Sequence, residues 1–216
     1  MRKALSLVIL FLTAFTVNAT DVGIMPLGAH TVETDANHTL TLTNRSSEPV
    51  KMQVRVYAWS QVDGKDVLAP TTDLMASPAI ISMAPGVNGK IRLRRVGKGH
   101  NFRVLLTELP KPVSEGATAV GFRLEYSLPY LFEPVAASQA LLAGKMVNGR
   151  LVLTNTGGKA AKITSVGPAN SQPWANTRIP NAGWVLAGSI MEIAVPATAD
   201  RIQLMVDTKP LILTVQ

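Results

Sequence analysis

Hydrophobic and polar residues alternate along most of this chain with a period of two. From Val50 to Ala58, the positions Val50, Met52, Val54, Val56 and Ala58 share one face, and Lys51, Gln53, Arg55 and Tyr57 share the other. That is the pattern of a strand dry on one side and wet on the other. Leu40 and Leu42 against Thr39, Thr41 and Thr43 repeat it, as do Ile91 and Leu93 against Lys90, Arg92 and Arg94. No stretch beyond the N-terminal twenty residues keeps a helical period for three turns. Turn pairs such as Asp63-Gly64, Pro85-Gly86, Asn148-Gly149 and Gly157-Gly158 separate the runs. The pattern predicts an all-β protein.

An internal echo refines that prediction. Leu40-Thr41-Leu42-Thr43-Asn44 returns as Leu151-Val152-Leu153-Thr154-Asn155, and six residues past each Asn come Val50-Lys51-Met52 and Ala161-Lys162-Ile163. Two strands and their connection are repeated at one offset, which predicts two similar immunoglobulin-like β-sandwich domains set at an angle. The boundary falls at Pro134, after which Val135 to Gly144 is bland and alanine-rich. Residues 20–133 then form the first domain and 134–216 the second.

The first nineteen residues read as a signal peptide. Arg2 and Lys3 precede an apolar run from Ala4 to Val17, and Val17-Asn18-Ala19 offers the small-residue pattern of a cleavage site. The run is shorter than the ~20 residues of a spanning helix. Cleavage after Ala19 removes two cations, leaving 19 Lys and Arg against 14 Asp and Glu, a net charge of +5. An exported protein without membrane insertion is expected.

Composition narrows the chemistry. With 47% apolar and 16% charged residues among 216, the chain is not disordered. It has no cysteine, which excludes disulfides, thiolate metal sites and cysteine nucleophiles, and its three histidines, His30, His38 and His100, are too few for a multi-histidine centre. No nucleophile elbow, phosphate loop, dinucleotide fingerprint or zinc-protease motif occurs. No cofactor, metal or catalytic residue is therefore expected. Nucleic acid is a poor partner despite the cations of Lys90 to Arg95, because stacking aromatics are few.

Val120, Phe122, Leu124, Tyr126 and Leu128 form a five-position apolar row, with Arg123 and Glu125 opposite and Gly121 permitting close backbone approach. Periodicity alone is equally compatible with an ordinary core strand.

Position along the chain separates the two. Ser77 to Gly86 followed by Ile91-Arg92, then Phe102 to Pro110, then Val120 to Pro134 occur in the order and spacing of a known family. The sequence resembles the PapD-like periplasmic pilus chaperones of the chaperone/usher pathway. Ala58-Trp59-Ser60-Gln61 and Ser127-Leu128-Pro129 resemble its branch serving archaic and spore-coat-type pili. The resemblance implies a non-enzymatic periplasmic chaperone that donates the Val120 to Leu128 row to incomplete pilus subunits. It would prevent their aggregation and deliver them to an outer-membrane usher. The alternative is a structural or adhesive sandwich subunit, although Thr20 to Val32 is short and interrupted by Pro26 and two glycines where such a subunit carries its own donor segment.

The sequence also departs from that family. The two cations that anchor a subunit's terminal carboxylate in the best-known branch align with Gly28 and Pro129. The Glu, Arg and Asp that bridge its domains align with Gly99, Glu133 and Asp207. Anchor and bridge must be built differently here. Arg92, Arg94 and Arg95 are the candidate anchors, since a guanidinium offers a bidentate fork to a carboxylate.

Overall fold

The computed structural model describes residues 21–110, 124–169, 179–195 and 200–215. Up to Glu133 the strands are β1 (Val22–Met25), β2 (Ala29–Val32), β3 (Asn37–Asn44), β4 (Val50–Val62), β5 (Lys65–Pro70), β6 (Leu74–Ser77), β7 (Ile80–Met83), β8 (Asn88–Arg95), β9 (Asn101–Glu108) and β10 (Glu125–Glu133). Beyond Pro134 follow β11 (Leu142–Val147), β12 (Arg150–Asn155), β13 (Ala161–Pro168), β14 (Ile179–Val185), β15 (Ile190–Ala194), β16 (Arg201–Val206) and β17 (Lys209–Thr214). The described residues contain no helix.

The strands before Pro134 make two facing sheets. One has the order β1-β3-β8-β6; the other has the order β2-β10-β9-β4-β5, with β7 also on β4. The strands after it make β11-β12-β15 and β14-β13-β16-β17. The architecture is all-β, as the alternation predicts, and a two-domain β-sandwich, as the internal echo predicts. Leu40, Leu42, Met52, Ile91, Leu93, Phe102, Val104 and Leu106 fill the first core, each at the inward position of its strand. Leu151, Leu153, Ile163, Val166, Ile202 and Leu204 fill the second. Asp63-Gly64 and Asn148-Gly149 hold positive φ at both residues, which closes β4 on β5 and β11 on β12 by tight two-residue turns.

The sequence echo corresponds to a repeated clamp. Asn44 and Asn155 end β3 and β12, and both are fully buried. Asn44 Nδ2 donates to the carbonyls of Glu48 (2.8 Å) and Met83 (3.0 Å), while its Oδ1 accepts from the Ser46 amide (3.0 Å). Asn155 Nδ2 likewise donates to Lys159 (2.8 Å), Val185 (3.1 Å) and Leu186 (3.2 Å), and its Oδ1 accepts from the Gly157 amide (3.0 Å). In both, one side chain satisfies the carbonyl four residues on and the amide two residues on. The asparagine side chains themselves are buried, although most of the residues that follow Asn44 are exposed, so each amide bonds to the backbone it faces.

Candidate functional site

The strand that carries the apolar row is only half enclosed. β10 pairs with β9 from Glu125 to Leu131, but its other edge meets β2 only from Tyr130 to Glu133. Among the described residues, the edge from Glu125 to Pro129 has no partner strand. Unpaired edge amides and carbonyls in an alternating apolar strand are a template for strand addition.

The row changes environment along this strand. Leu128 is buried in the first core, Tyr126 packs partly against it, and Leu124 is 37% exposed. Val120 and Phe122 lie outside the described residues. Tyr130 and Phe132 continue the same face downstream and are fully buried. The Tyr130 hydroxyl has no hydrogen-bond partner there, and burial pushes its pKa up to about 12.

The opposite face of this sheet is charged. Register places Gln53, Thr107 and Glu125 in one row and Tyr57, Arg103 and Pro129 in another. Arg55 donates to Glu125 (2.9 Å) and to the Thr107 hydroxyl (3.0 Å), which itself donates to Glu125 (2.7 Å). Arg103 lies 3.8 Å over the Trp59 ring and 3.5 Å from Asp66 of β5. Burial pulls its pKa below the ordinary guanidinium value and Asp66 pulls it partly back, so this cation is incompletely compensated.

Gly28 and Pro129, aligned with the family's two anchoring cations, touch each other. A Cβ on Gly28 would stand 2.5 Å from the Pro129 carbonyl oxygen, and Gly28 has φ +131. Pro129 is paired in register with Arg103.

The other cations singled out in the sequence lie elsewhere. Lys90, Arg92 and Arg94 project from β8, on the outer face of the sheet that does not contain β10. Arg95 turns inward, donating to the carbonyls of Gly99 (2.7 Å), Glu33 (3.2 Å) and Lys98 (3.2 Å), and its guanidinium packs on Phe132. Arg95 thus ties β8 to the loop before β9.

Among the described residues, the side chains that bridge the domains include those of Glu133 and Gln61. Glu133, buried, accepts from the Ala160 amide (2.9 Å) and lies 2.8 Å from His30 Nε2. Gln61 donates to the Trp184 carbonyl (2.8 Å) and accepts from the Leu186 amide (2.9 Å). Around them Trp59 and Leu131 pack against Ala160, Leu186 and Trp184. Gly64 at the β4 to β5 turn accepts from the Glu192 amide (3.1 Å). Asp207 sits at the β16 to β17 turn, its carbonyl accepting from the Thr164 hydroxyl.

Sequence reasoning placed Glu133 at a bridging position but missed Gln61, whose signal was the Trp59-Ser60-Gln61 motif on a nominally wet face. Gln61→Ala strands the Trp184 carbonyl and Leu186 amide at the junction. It is expected to cost about 2 kcal/mol and to separate the unfolding of the two sandwiches in chemical denaturation.

The chain thus folds as two β-sandwiches joined through Glu133 and Gln61, the first carrying the partly open strand β10. The family model described as the pili and flagellar-assembly chaperone, PapD N-terminal domain, matches residues 29–138, more than half of the chain. The chain belongs to that family, which is periplasmic and non-enzymatic.

Solved structures agree on the fold. One is the CsuC–CsuE chaperone–tip adhesion subunit pre-assembly complex from the archaic chaperone-usher Csu pili of Acinetobacter baumannii. It matches at 20% identity and TM-score 0.72, over 91% of this chain and 99% of that one. The Salmonella enterica SafA pilin complex with the SafB chaperone matches at 14% and 0.68, over 92% and 98%. The E. coli chaperone DraB matches at 13% and 0.65, over 91% and 97%. No curated protein sequence matches. No helix among the described residues is long and apolar enough to cross a membrane.

Proposed function

We propose that this chain is exported, cleaved after Ala19, and captures incomplete pilus subunits by donating the strand from Val120 to Leu128, then passes them to an outer-membrane usher. The hinge lies at Glu133–Pro134, where the bridging carboxylate meets the first residue of the second domain. The observation that carries this reading is the open edge of β10 from Glu125 to Pro129, which continues an alternating apolar row. A subunit lacking a strand has an apolar groove and unpaired edges of its own. Pairing the two edges satisfies both sets of backbone groups, and each large side chain seated in the groove contributes about 1.5–3 kcal/mol before ordering costs. Co-expression with a pilus subunit and co-purification of the pair tests the reading directly.

Fixing the subunit's terminal carboxylate sets the register of the donated strand, because a one-residue slip turns every apolar side chain out of the groove. We assign the anchor to Arg103 rather than to Arg92, Arg94 or Arg95. It is the cation beside Pro129 and it is partly desolvated, lying over the Trp59 ring and 3.5 Å from Asp66. Arg103→Gln is expected to weaken subunit capture about a hundredfold or more, with a thermal stability loss confined to its Trp59 and Asp66 contacts. Loss of capture in Arg92→Gln or Arg94→Gln, with Arg103→Gln unaffected, would return the anchor to β8.

A further inference from the structure

The outer face of the β1-β3-β8-β6 sheet is a second charged surface, on the sheet that does not contain β10. Lys90, Arg92 and Arg94 stand there at alternate positions of β8, all exposed. Their spacing is about 7 Å along the strand. Their cross-strand neighbours are Thr41, Thr39 and Asn37 on β3, with Ser77 and Met75 on β6. No acidic residue occupies an outward position of these four strands.

Four of the other described arginines are paired, while Arg45 and Arg201 show no ion pair among the described residues. Arg55, Arg95, Arg103 and Arg150 each have a carboxylate within 4.0 Å. Among the described residues, Lys90, Arg92 and Arg94 have no ion pair. Three like charges on one strand repel one another when no counter-charge is interleaved, so the ladder lowers the stability of its own sheet. A role for an external anion accounts for that cost.

The shape of the face selects the kind of anion. Met25 on β1 is 74% exposed and Met75 on β6 is 59% exposed, so an apolar tip flanks the ladder on each side. An acidic peptide strand would need a free edge or groove, whereas these cations stand in mid-sheet with hydroxyls between them. A broad basic plane bordered by exposed apolar side chains fits an anionic lipid surface: cations and hydroxyls meet headgroup phosphates, and methionines reach the acyl boundary.

We propose that this face docks the protein peripherally on an anionic phospholipid bilayer, with the domain-junction side of the other sheet turned away from the lipid. The contact is reversible and leaves the open edge of β10 available. It does not rest on the donor-strand reading.

The test is co-sedimentation of the mature protein with vesicles of phosphatidylglycerol and phosphatidylcholine in equal parts, and with phosphatidylcholine alone, at low and at physiological salt. Binding is expected only to the mixed vesicles, weakening as salt rises. The triple variant Lys90→Gln, Arg92→Gln, Arg94→Gln should lose about a hundredfold in affinity, near fivefold per cation. A control with Lys145→Gln, Lys162→Gln and Lys209→Gln removes the same charge from the second domain and should bind nearly as wild type. Thermal melts establish that both variants are folded. Equal losses in the two variants would overturn the proposal in favour of non-specific net charge. Absence of binding to mixed vesicles would overturn it as well, and binding of soluble polyglutamate in its place would assign the face to an acidic protein.

Discussion

Leu124→Asp is expected to abolish capture of a pilus subunit while leaving the chaperone folded. Leu124 is 37% exposed and precedes β10, so a carboxylate there stays hydrated in the free protein. In the complex the same carboxylate would enter an apolar groove without a partner, at a penalty of several kcal/mol added to the lost leucine burial. Together these exceed about 4 kcal/mol, a thousandfold or more in affinity. Phe122→Asp should behave alike. Leu128→Asp should instead unfold the first domain, because Leu128 belongs to its own core. The check is co-purification of subunit with each variant beside its circular dichroism melt. If Leu124→Asp and Phe122→Asp both unfold while serine replacements still capture subunit fully, the row is core along its whole length.

The largest effect on stability is expected at the repeated asparagine. Asn155→Ala removes donors to three carbonyls and the acceptor for the Gly157 and Leu141 amides, all at the end of β12. Unsatisfied buried groups cost about 1–3 kcal/mol each when no water replaces the partner. A net loss of about 4 kcal/mol in chemical denaturation is expected, with the second domain unfolding first. Asn155→Asp should not rescue, because it keeps the acceptor and replaces the donor by a buried charge. Asn44→Ala should do the same to the first domain. Losses below about 1 kcal/mol in both would show that the clamp is dispensable.

That pair of asparagines marks how far the sequence was legible. Leu40 and Leu42, Ile91 and Leu93, and the even positions of β4 from Val50 to Val54 are buried as their alternation predicts, and Asp63-Gly64 and Asn148-Gly149 turn as such pairs do. The echo between the domains is visible as letters, but the reason for it, a buried side-chain amide bonding across a turn, emerges only from the fold. Alternation also assigns a residue to a face without saying what covers that face. Trp59, Gln61 and Leu131 fall on the nominally wet side of their sheet, and the second domain covers it.

The proposed assignment of the anchor to Arg103 turns on the same limit. Arg92, Arg94 and Arg95 are candidates because a guanidinium forks onto a carboxylate, yet parity does not reveal which sheet a strand joins. β8 pairs with β3 and β6, whereas β10 pairs with β9 and β2. Arg103, a fallback candidate in Phe102 to Pro110, gains weight once register sets it beside Pro129.

Amide hydrogen exchange of the chaperone, alone and bound to its pilus subunit, tests the central claim most directly. The open edge of β10 should exchange fast in the free protein, and binding should slow exchange specifically in peptides spanning residues 120–129. The β4 and β9 amides, already paired within the sheet, should change little. Stable binding with unchanged exchange across 120–129, and protection confined to another surface, would contradict donation of this strand.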